Sequence, residues 1–438
     1  MHVLKYIVPL IFSAAVIAET SAQAQTIKEL TIHQAMELSM LNHQQLKLSM
    51  ANHDQALQQI EIAKLQQLPN IAATASAGYL GNVLFLDKDF SKVRTVDIPH
   101  FANSYAVQAS ELLYKGGLVK KGIQAAEIKA QLAALDLQND QQAIKFLVAS
   151  NYLDLVKLQN QAKVYANNTR LARLRLENVN KYYNQGIVTR NEVIRGELVL
   201  KNLEQAQLVV ANNLAIVNYN LGIALGLNEG THIVPTEVIK ENPLVEDQNH
   251  LLSMALDQHP SLIKAEKNKD LAQKNTEIVR TDQYPALSAV GSYQMQRPYT
   301  NTSPALDMYA NNWMVGLSLS YNIDNLYKTK RKIKSAKITE KQADEAAVLV
   351  KQNIEMALNA AYIKYQESLK NSEILFESQR LAQENYKIIE AKYLNQLAIL
   401  AEMTDAINAK LEAELNYTNA QVNVLYQYYT LQRAIGSL

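Results

Sequence analysis

Two long stretches of this chain, residues 100–234 and 305–438, contain no proline. Proline inside a helix removes a hydrogen bond and clashes with the preceding turn, at about 3 kcal/mol. Its absence over more than half of the chain permits helices far longer than usual. The filling is Ala, Leu, Gln, Lys, Glu and Asn, mostly good helix formers. Heptad-like spacing appears in Ile354, Leu358, Ala361 and Tyr365, and again in Leu375, Ala382 and Ile389.

The chain also repeats itself. "YYNQGIVTRNEV" (182–193) corresponds to "KYLNQLAILAEM" (392–403). Tyr183 matches Tyr393, Glu192 matches Glu402, Ile123 matches Ile333 and Gly226 matches Gly436, each pair 210 residues apart (393 − 183). Upstream, "QQLPNIAATASAGY" (66–79) resembles "DQYPALSAVGSYQ" (282–294). A period this long marks a duplicated domain rather than a short solenoid repeat. The first unit is expected over 25–230, a linker over 231–245, and the second unit over 246–438. Each reads as a leading helix (31–67; 246–283), a strand (71–86; 286–297), a loop and a second strand (101–114; 311–322). A long helix (116–183; 326–393), a tight turn and a shorter helix (189–226; 399–436) follow.

The strands are two-faced. In "NNWMVGLSLSYN" (311–322), Trp313, Val315, Leu317, Leu319 and Tyr321 alternate with small or mostly polar residues. Ten to fifteen residues suit a strand that crosses a membrane. Four strands cannot close in lipid, where every open edge leaves backbone groups unpaired. A barrel must then be shared: eight strands from two chains, or twelve from three.

Other readings narrow the function. His2 and Lys5 precede an apolar run and Ala22-Gln23-Ala24, which fits a cleaved signal peptide over 1–24. The net charge of +1 argues against a nucleic-acid binder. With no cysteine, disulfides, thiolate catalysis and thioether lipid anchors are excluded. His33, His43 and His53 recur every ten residues, which turns them to different faces of one helix. No nucleotide, zinc-protease or nucleophile-elbow motif is present. Neither an enzyme, nor a cofactor, nor a metal site is expected.

The order of these features resembles the TolC-type outer-membrane efflux protein family, over essentially the whole chain after the signal peptide. The duplication, the strand-loop-strand insertions, the turn signature "YYNQGIVTRNEVIRGE" and the closing "YNLGIALG" and "YQYYTLQRAIG" carry the resemblance. It implies a mostly α fold with a membrane β-barrel segment. In that fold a homotrimer builds a twelve-stranded barrel and an α-helical tunnel across the periplasm. It implies a passive exit duct of a tripartite efflux or type I secretion system. A periplasmic adaptor (membrane fusion) protein and an inner-membrane transporter would be its partners. Outer-membrane lipid would meet Trp313, Val315, Leu317, Leu319 and Tyr321. Residues 87–100 and 298–310 would lie outside the cell. The basic run "KTKRKIKSAK" (328–337) reads either as a neighbour of periplasmic lipid headgroups or as a solvated helix face. The competing reading of the whole chain is an exported coiled-coil spacer without channel activity.

Two turns join the helices at the far end. Gly186 in the first suits a left-handed C-cap, whereas Gln396 in the second predicts a different geometry. Thr189 and Glu192 fit a capping box. Ile399 stands in place of that threonine in the second copy, so Glu402 has no such role there. The resemblance assigns the periplasmic gate to Glu402 and Asp405, with Tyr393 and Glu192 beside them. Where the family often has an arginine, Ala398 stands here.

Overall fold

In the computed structural model, residues 27–236, 243, 245–302 and 304–438 are described. The expected signal peptide and much of the expected linker lie outside them. The chain runs β1 (Ile27–Leu30), α1 (Ile32–Asn42), α2 (Gln44–Lys64), β2 (Asn70–Tyr79), β3 (Val83–Leu86), β4 (Lys92–Val96), β5 (Phe101–Tyr114), α3 (Leu118–Asn184) and α4 (Arg190–Leu225). It continues with β6 (His232–Pro235), α5 (Gln248–Gln258), α6 (Pro260–Arg280), β7 (Ala286–Arg297), β8 (Ala310–Ser320), α7 (Asn325–Leu394) and α8 (Leu400–Ile435).

The two halves correspond element by element, with differences that have physical causes. Each leading helix is broken in two. The break is a histidine held in an extended conformation, His43 in one copy and His259 in the other. The ring Nδ1 of His43 accepts from the Gln45 N–H at 3.1 Å, and that of His259 from the Ser261 N–H at 3.2 Å. Each histidine therefore caps the helix that follows it. Pro260 adds a second cause, since it disfavours the helical conformation at His259. Burial holds His259 below the usual histidine pKa. The long hairpins end against these breaks. At Gly226 (φ +65°) a Cβ would lie 2.6 Å from Asn42 Cβ, and at Gly436 (φ +84°) 3.1 Å from His259 Cα. Only glycine suits both the left-handed backbone and the close approach.

The expected strand 71–86 is also two elements. β2 stops at Tyr79, and β3 folds instead onto β4 as a separate antiparallel hairpin. The turn from β2 is fixed by Asn82, whose side chain donates to Asp97 at 2.7 Å. The expected linker contains β6, which pairs in parallel with β1. Strand β8 ends at Ser320, so Tyr321 lies just beyond the strand rather than in it.

The main sheet has the order β2-β5-β7-β8, antiparallel throughout. Its register collects the greasy side chains on one face. Trp313 lies opposite Tyr293, which lies opposite Val107, which lies opposite Ala73. Leu317 is paired in the same way with Ala289, and Val315 with Gly291, beside Ala109 and Ile71. The other face carries Ser318, Ser288, Ser292, Gln108, Ser110 and Thr74. Trp313, Val315, Leu317 and Leu319 are each at least 70% exposed, so none of the described residues covers them. Strands β2 and β8 are open edges.

Below the sheet, α3 and α7 run as single helices of 67 and 70 residues, about 100 Å each. Near the sheet, α3 packs between α2 and α6, and α6 packs on α7. Further down, α3 packs between α4 and α8, and α8 packs on α7. A first-repeat element therefore lies at one side of the chain (β2, α2, α4). A second-repeat element lies at the other (β8, α7). At mid-length α1, α5 and the β1–β6 pair add a second layer, anchored by Tyr152, whose hydroxyl donates to the Leu30 carbonyl at 2.8 Å. An apolar core of Leu46, Val148, Leu155, Leu221 and Ile233 packs there.

The register predicts opposite fates for neighbouring substitutions. Leu317→Arg places a charge on the greasy face, at about 2–4 kcal/mol near mid-bilayer. Ser318→Arg faces the wet side and should assemble normally. Outer-membrane yield of the two variants measures the difference; equal yields would overturn the face assignment.

Candidate functional site

The far ends of the two helix pairs form the site. The α3–α4 turn is closed by Gly186 N–H to the Tyr183 carbonyl at 2.9 Å and Ile187 N–H to the Tyr182 carbonyl at 2.9 Å. The α7–α8 turn repeats this: Gln396 N–H to Tyr393 at 3.0 Å and Leu397 N–H to Lys392 at 2.8 Å. Gly186 has φ +75° and Gln396 has φ +60°. The expectation of a different second turn is therefore corrected. The hydrogen-bond pattern holds the left-handed conformation, and a glutamine is carried through it at a cost of backbone strain.

The capping box is corrected too. Thr189 is the N-cap of α4, but its side chain makes no capping hydrogen bond. Glu192 lines an apolar cavity between the tips instead, with Tyr182, Val199, Tyr393, Leu394 and Met403. The cavity measures about 100 Å³. Tyr393 is half-buried there. Its hydroxyl pKa is pushed up, first by burial and then by the Glu192 carboxylate and Tyr182. Tyr393 and Glu192 thus come together across the two hairpins. Glu402 and Asp405 are exposed on α8, on the side away from buried Met403 and Ala406. Among the described residues neither carboxylate forms an ion pair.

One group of residues at the tips escapes sequence reasoning. At the upper edge of the cavity, which Arg175 and Glu390 also line, a polar cluster ties α3 to α7 and α8. Arg175 donates to the Tyr386 hydroxyl, and Tyr386 donates to Glu390. Arg175 also lies 3.6 Å from Glu390. The Lys410 ammonium sits 4.8 Å from the Tyr386 ring centre and 3.4 Å from Glu414, which accepts from Asn168 at 3.1 Å. Lys410 is only 7% exposed. Burial, then the bond to Glu390, pushes Tyr386 up to about 12, against the pull of Arg175. On α4 and α3 the positions 210 residues earlier are Leu200 and Leu176. The first copy is apolar at these two positions, whereas Glu414 and Glu390 correspond to Glu204 and Asn180. Spaced along a helix, these residues look like any solvated face, so only the comparison of the two copies could have flagged them.

The arrangement holds no catalytic constellation. It offers two exposed carboxylates, a tyrosine and a glutamate from different hairpins lining one cavity, and a partly buried charge cluster at the cavity's edge.

Residues 35–227 and 251–437 match the model of the family described as outer membrane efflux protein. The fold is also that of solved channels. CusC superposes with a TM-score of 0.78 at 15% identity, covering 93% of this chain and 92% of that one. The outer-membrane channel OprN gives 0.78 at 16%, covering 93% and 90%. The outer membrane protein VceC of Vibrio cholerae gives 0.76 at 14%, covering 92% and 96%. No curated protein matches.

Replacing Gln396 by glycine removes the left-handed strain, worth about 1 kcal/mol. Gln396→Gly should slow amide exchange at the second tip roughly fivefold, and Gly186→Gln should speed it at the first. Exchange rates that do not move would show that the turn stores no strain.

Proposed function

The chain belongs to the outer membrane efflux protein family, and on that premise we propose that it is the exit duct of a tripartite efflux or type I secretion system. Three copies close into one channel. A periplasmic adaptor engages the helix tips, and an inner-membrane transporter supplies the energy. The channel itself is passive.

One observation carries this reading: the chain has matching open sides at every level. Strands β2 and β8 are unpaired edges of a sheet that must lie in lipid. The helical sides match as well. On α4, Val209, Ile216 and Ile223 recur every seven residues and are 46–62% exposed. On α7, Leu349, Met356 and Ile363 do the same at 53–62%, as do Ile374, Leu381 and Ile388 at 50–66%. An exposed heptad stripe seeks a partner helix. Ile223 and Ile363 both lie about 50 Å from the tips, so α4 of one copy meets α7 of the next at the same height. By length and composition α4 is apolar enough to cross a membrane. In this reading its apolar side is spent on the neighbouring copy. The contact joins different sides of each chain, so copies follow one another head to tail and the ring closes when the rotation between them is one third of a turn. Three copies give twelve strands and an open bore.

The ring brings the carboxylates of Glu402 and Asp405 together as six, at a narrow periplasmic mouth. Such a ring favours cations by its field. Tyr393 and Glu192 hold the two hairpins together there, and the adaptor must part them to widen the passage.

The seam is tested by Ile216→Glu with Ile223→Glu. Native mass measurement in detergent should give trimers for the unaltered protein and monomers for the variant. Trimers from both would overturn the seam. The gate is tested in planar bilayers. Glu402→Gln with Asp405→Asn should weaken cation selectivity and block by trivalent cations together, with trimer yield intact. Unchanged selectivity and block would remove these carboxylates from the constriction.

A further inference from the structure

The membrane-proximal end of α7 carries a row of cations that the channel reading does not use. Lys330, Lys334, Lys337 and Lys341 fall at i, i+4, i+7 and i+11, on one side of the helix. All four are exposed. Among the described residues none of them forms an ion pair, whereas Lys328 and Lys332 are taken by Asp324 and Asp282. Of the nearby acids, Asp344 is held by Lys269 at 3.5 Å, Glu340 faces α6, and Glu345 follows Lys341 by one turn at the lower end of the row.

The direction of the row follows from the heptads. Four heptads below Lys330, Lys334 and Lys337 stand Leu358, Tyr362 and Tyr365. Leu358 and Tyr365 are buried between Leu251 and Ala255 of α5 and Val424, Leu431 and Ile435 of α8, and the Tyr365 hydroxyl donates to the Pro243 carbonyl on the α5 side. Where α7 keeps its heptad seam by supercoiling, the row shares the side that the α5 layer covers further down. A second layer on the inside would fill the bore, so this side is the outer surface.

The duplication supplies an internal control. The equivalent positions in α3 are Lys120, Gln124, Glu127 and Gln131. The same helix in the same fold needs no such charge: the row is +4 in the second copy and neutral in the first. Depth decides what could meet it. Headgroups occupy about 6–7 Å on each side of the hydrocarbon. Measured from Asn325 at 1.5 Å per residue, Lys330 lies about 8 Å down and Lys341 about 24 Å. Lys334, Lys337 and Lys341 are beyond lipid reach. Lys341 is also about 80 Å from the tips, where the adaptor is proposed to bind.

We propose that this row is a docking surface for an acidic polypeptide of the periplasm, laid along the outside of the channel just below the barrel. It rests on the outer-membrane placement and does not require the gate described above. The attraction would be electrostatic and would weaken with salt.

The test uses the purified full-length channel in nanodiscs of neutral phosphatidylcholine. Fluorescent poly-L-glutamate is the probe, and anisotropy reads its binding as salt is raised. The unaltered channel should bind with salt-dependent affinity. K334Q/K337Q/K341Q should bind at least tenfold more weakly, and K334R/K337R/K341R should bind as the unaltered channel does. Q124K/E127K/Q131K should bind more tightly. Native mass and tip selectivity, unchanged in all of them, separate this site from the channel reading. Equal binding by the glutamine variant would overturn the proposal. So would a result in which the three lysines govern only the retention of phosphatidylglycerol in mixed nanodiscs, which would make the row a lipid anchor.

Discussion

A four-stranded sheet with a greasy face and two bare edges is the constraint on which the rest of this structure depends. Water can satisfy a bare edge in a soluble protein, but hydrocarbon cannot, and each unpaired backbone group there costs several kcal/mol. The edge strands β2 and β8 come from different repeats, so the pairing they require is between unlike sides of two chains. The helices inherit this geometry. Because α3 and α7 leave the sheet directly, the sides of the helical wall are set by the sides of the sheet above it. The apolar heptads of α4 and α7 lie on those sides.

The duplication explains how one sequence makes such a wall. Strands β2 and β7 begin 216 residues apart (286 − 70), and α4 and α8 begin 210 apart (400 − 190). The difference of six residues is absorbed between the paired strands of the first copy, where the β3–β4 hairpin sits. An insertion at the outer end changes no packing in lipid or in the tunnel. This is where loops tolerate length best.

Much of this was legible before any coordinates. Proline gaps and heptads gave the four long helices almost to the residue, because regular spacing survives in sequence. Alternation around Trp313 gave the greasy face. The failures share a cause. His43 and His259 break their helices by a ring-nitrogen cap, and nothing in helix periodicity signals that. The β1–β6 pair joins residues about two hundred positions apart through a few bonds, too short for any pattern. At the tips, Gln396 read as a departure because glycine is the usual left-handed residue. The surrounding hydrogen bonds decided its conformation instead. Thr189 read as a cap, yet Glu192 turned toward Tyr393 and the cavity.

The two copies act as controls for each other at every one of these positions. Both must form the same helices and turns, so a residue that differs between them is not demanded by those elements alone. Arg195 faces Asp405 in this comparison, Leu200 faces Lys410, and Leu176 faces Tyr386. The second hairpin thus carries Lys410 and Tyr386 where the first has leucines, bonds them to α3 of the first hairpin, and has an acid beside Glu402. Replacing a well-packed apolar contact by buried ions rarely adds stability, because desolvation offsets most of the attraction. What the exchange adds is polar bonding between helices: Lys410 and Glu414 pair with each other along α8, and Tyr386 of α7 and Asn168 of α3 hold that pair from outside. Parting the two hairpins would break the Arg175–Tyr386 and Asn168–Glu414 bonds and leave the Lys410–Glu414 pair whole, so the crossing bonds, not the ion pair, are what join one hairpin to the other.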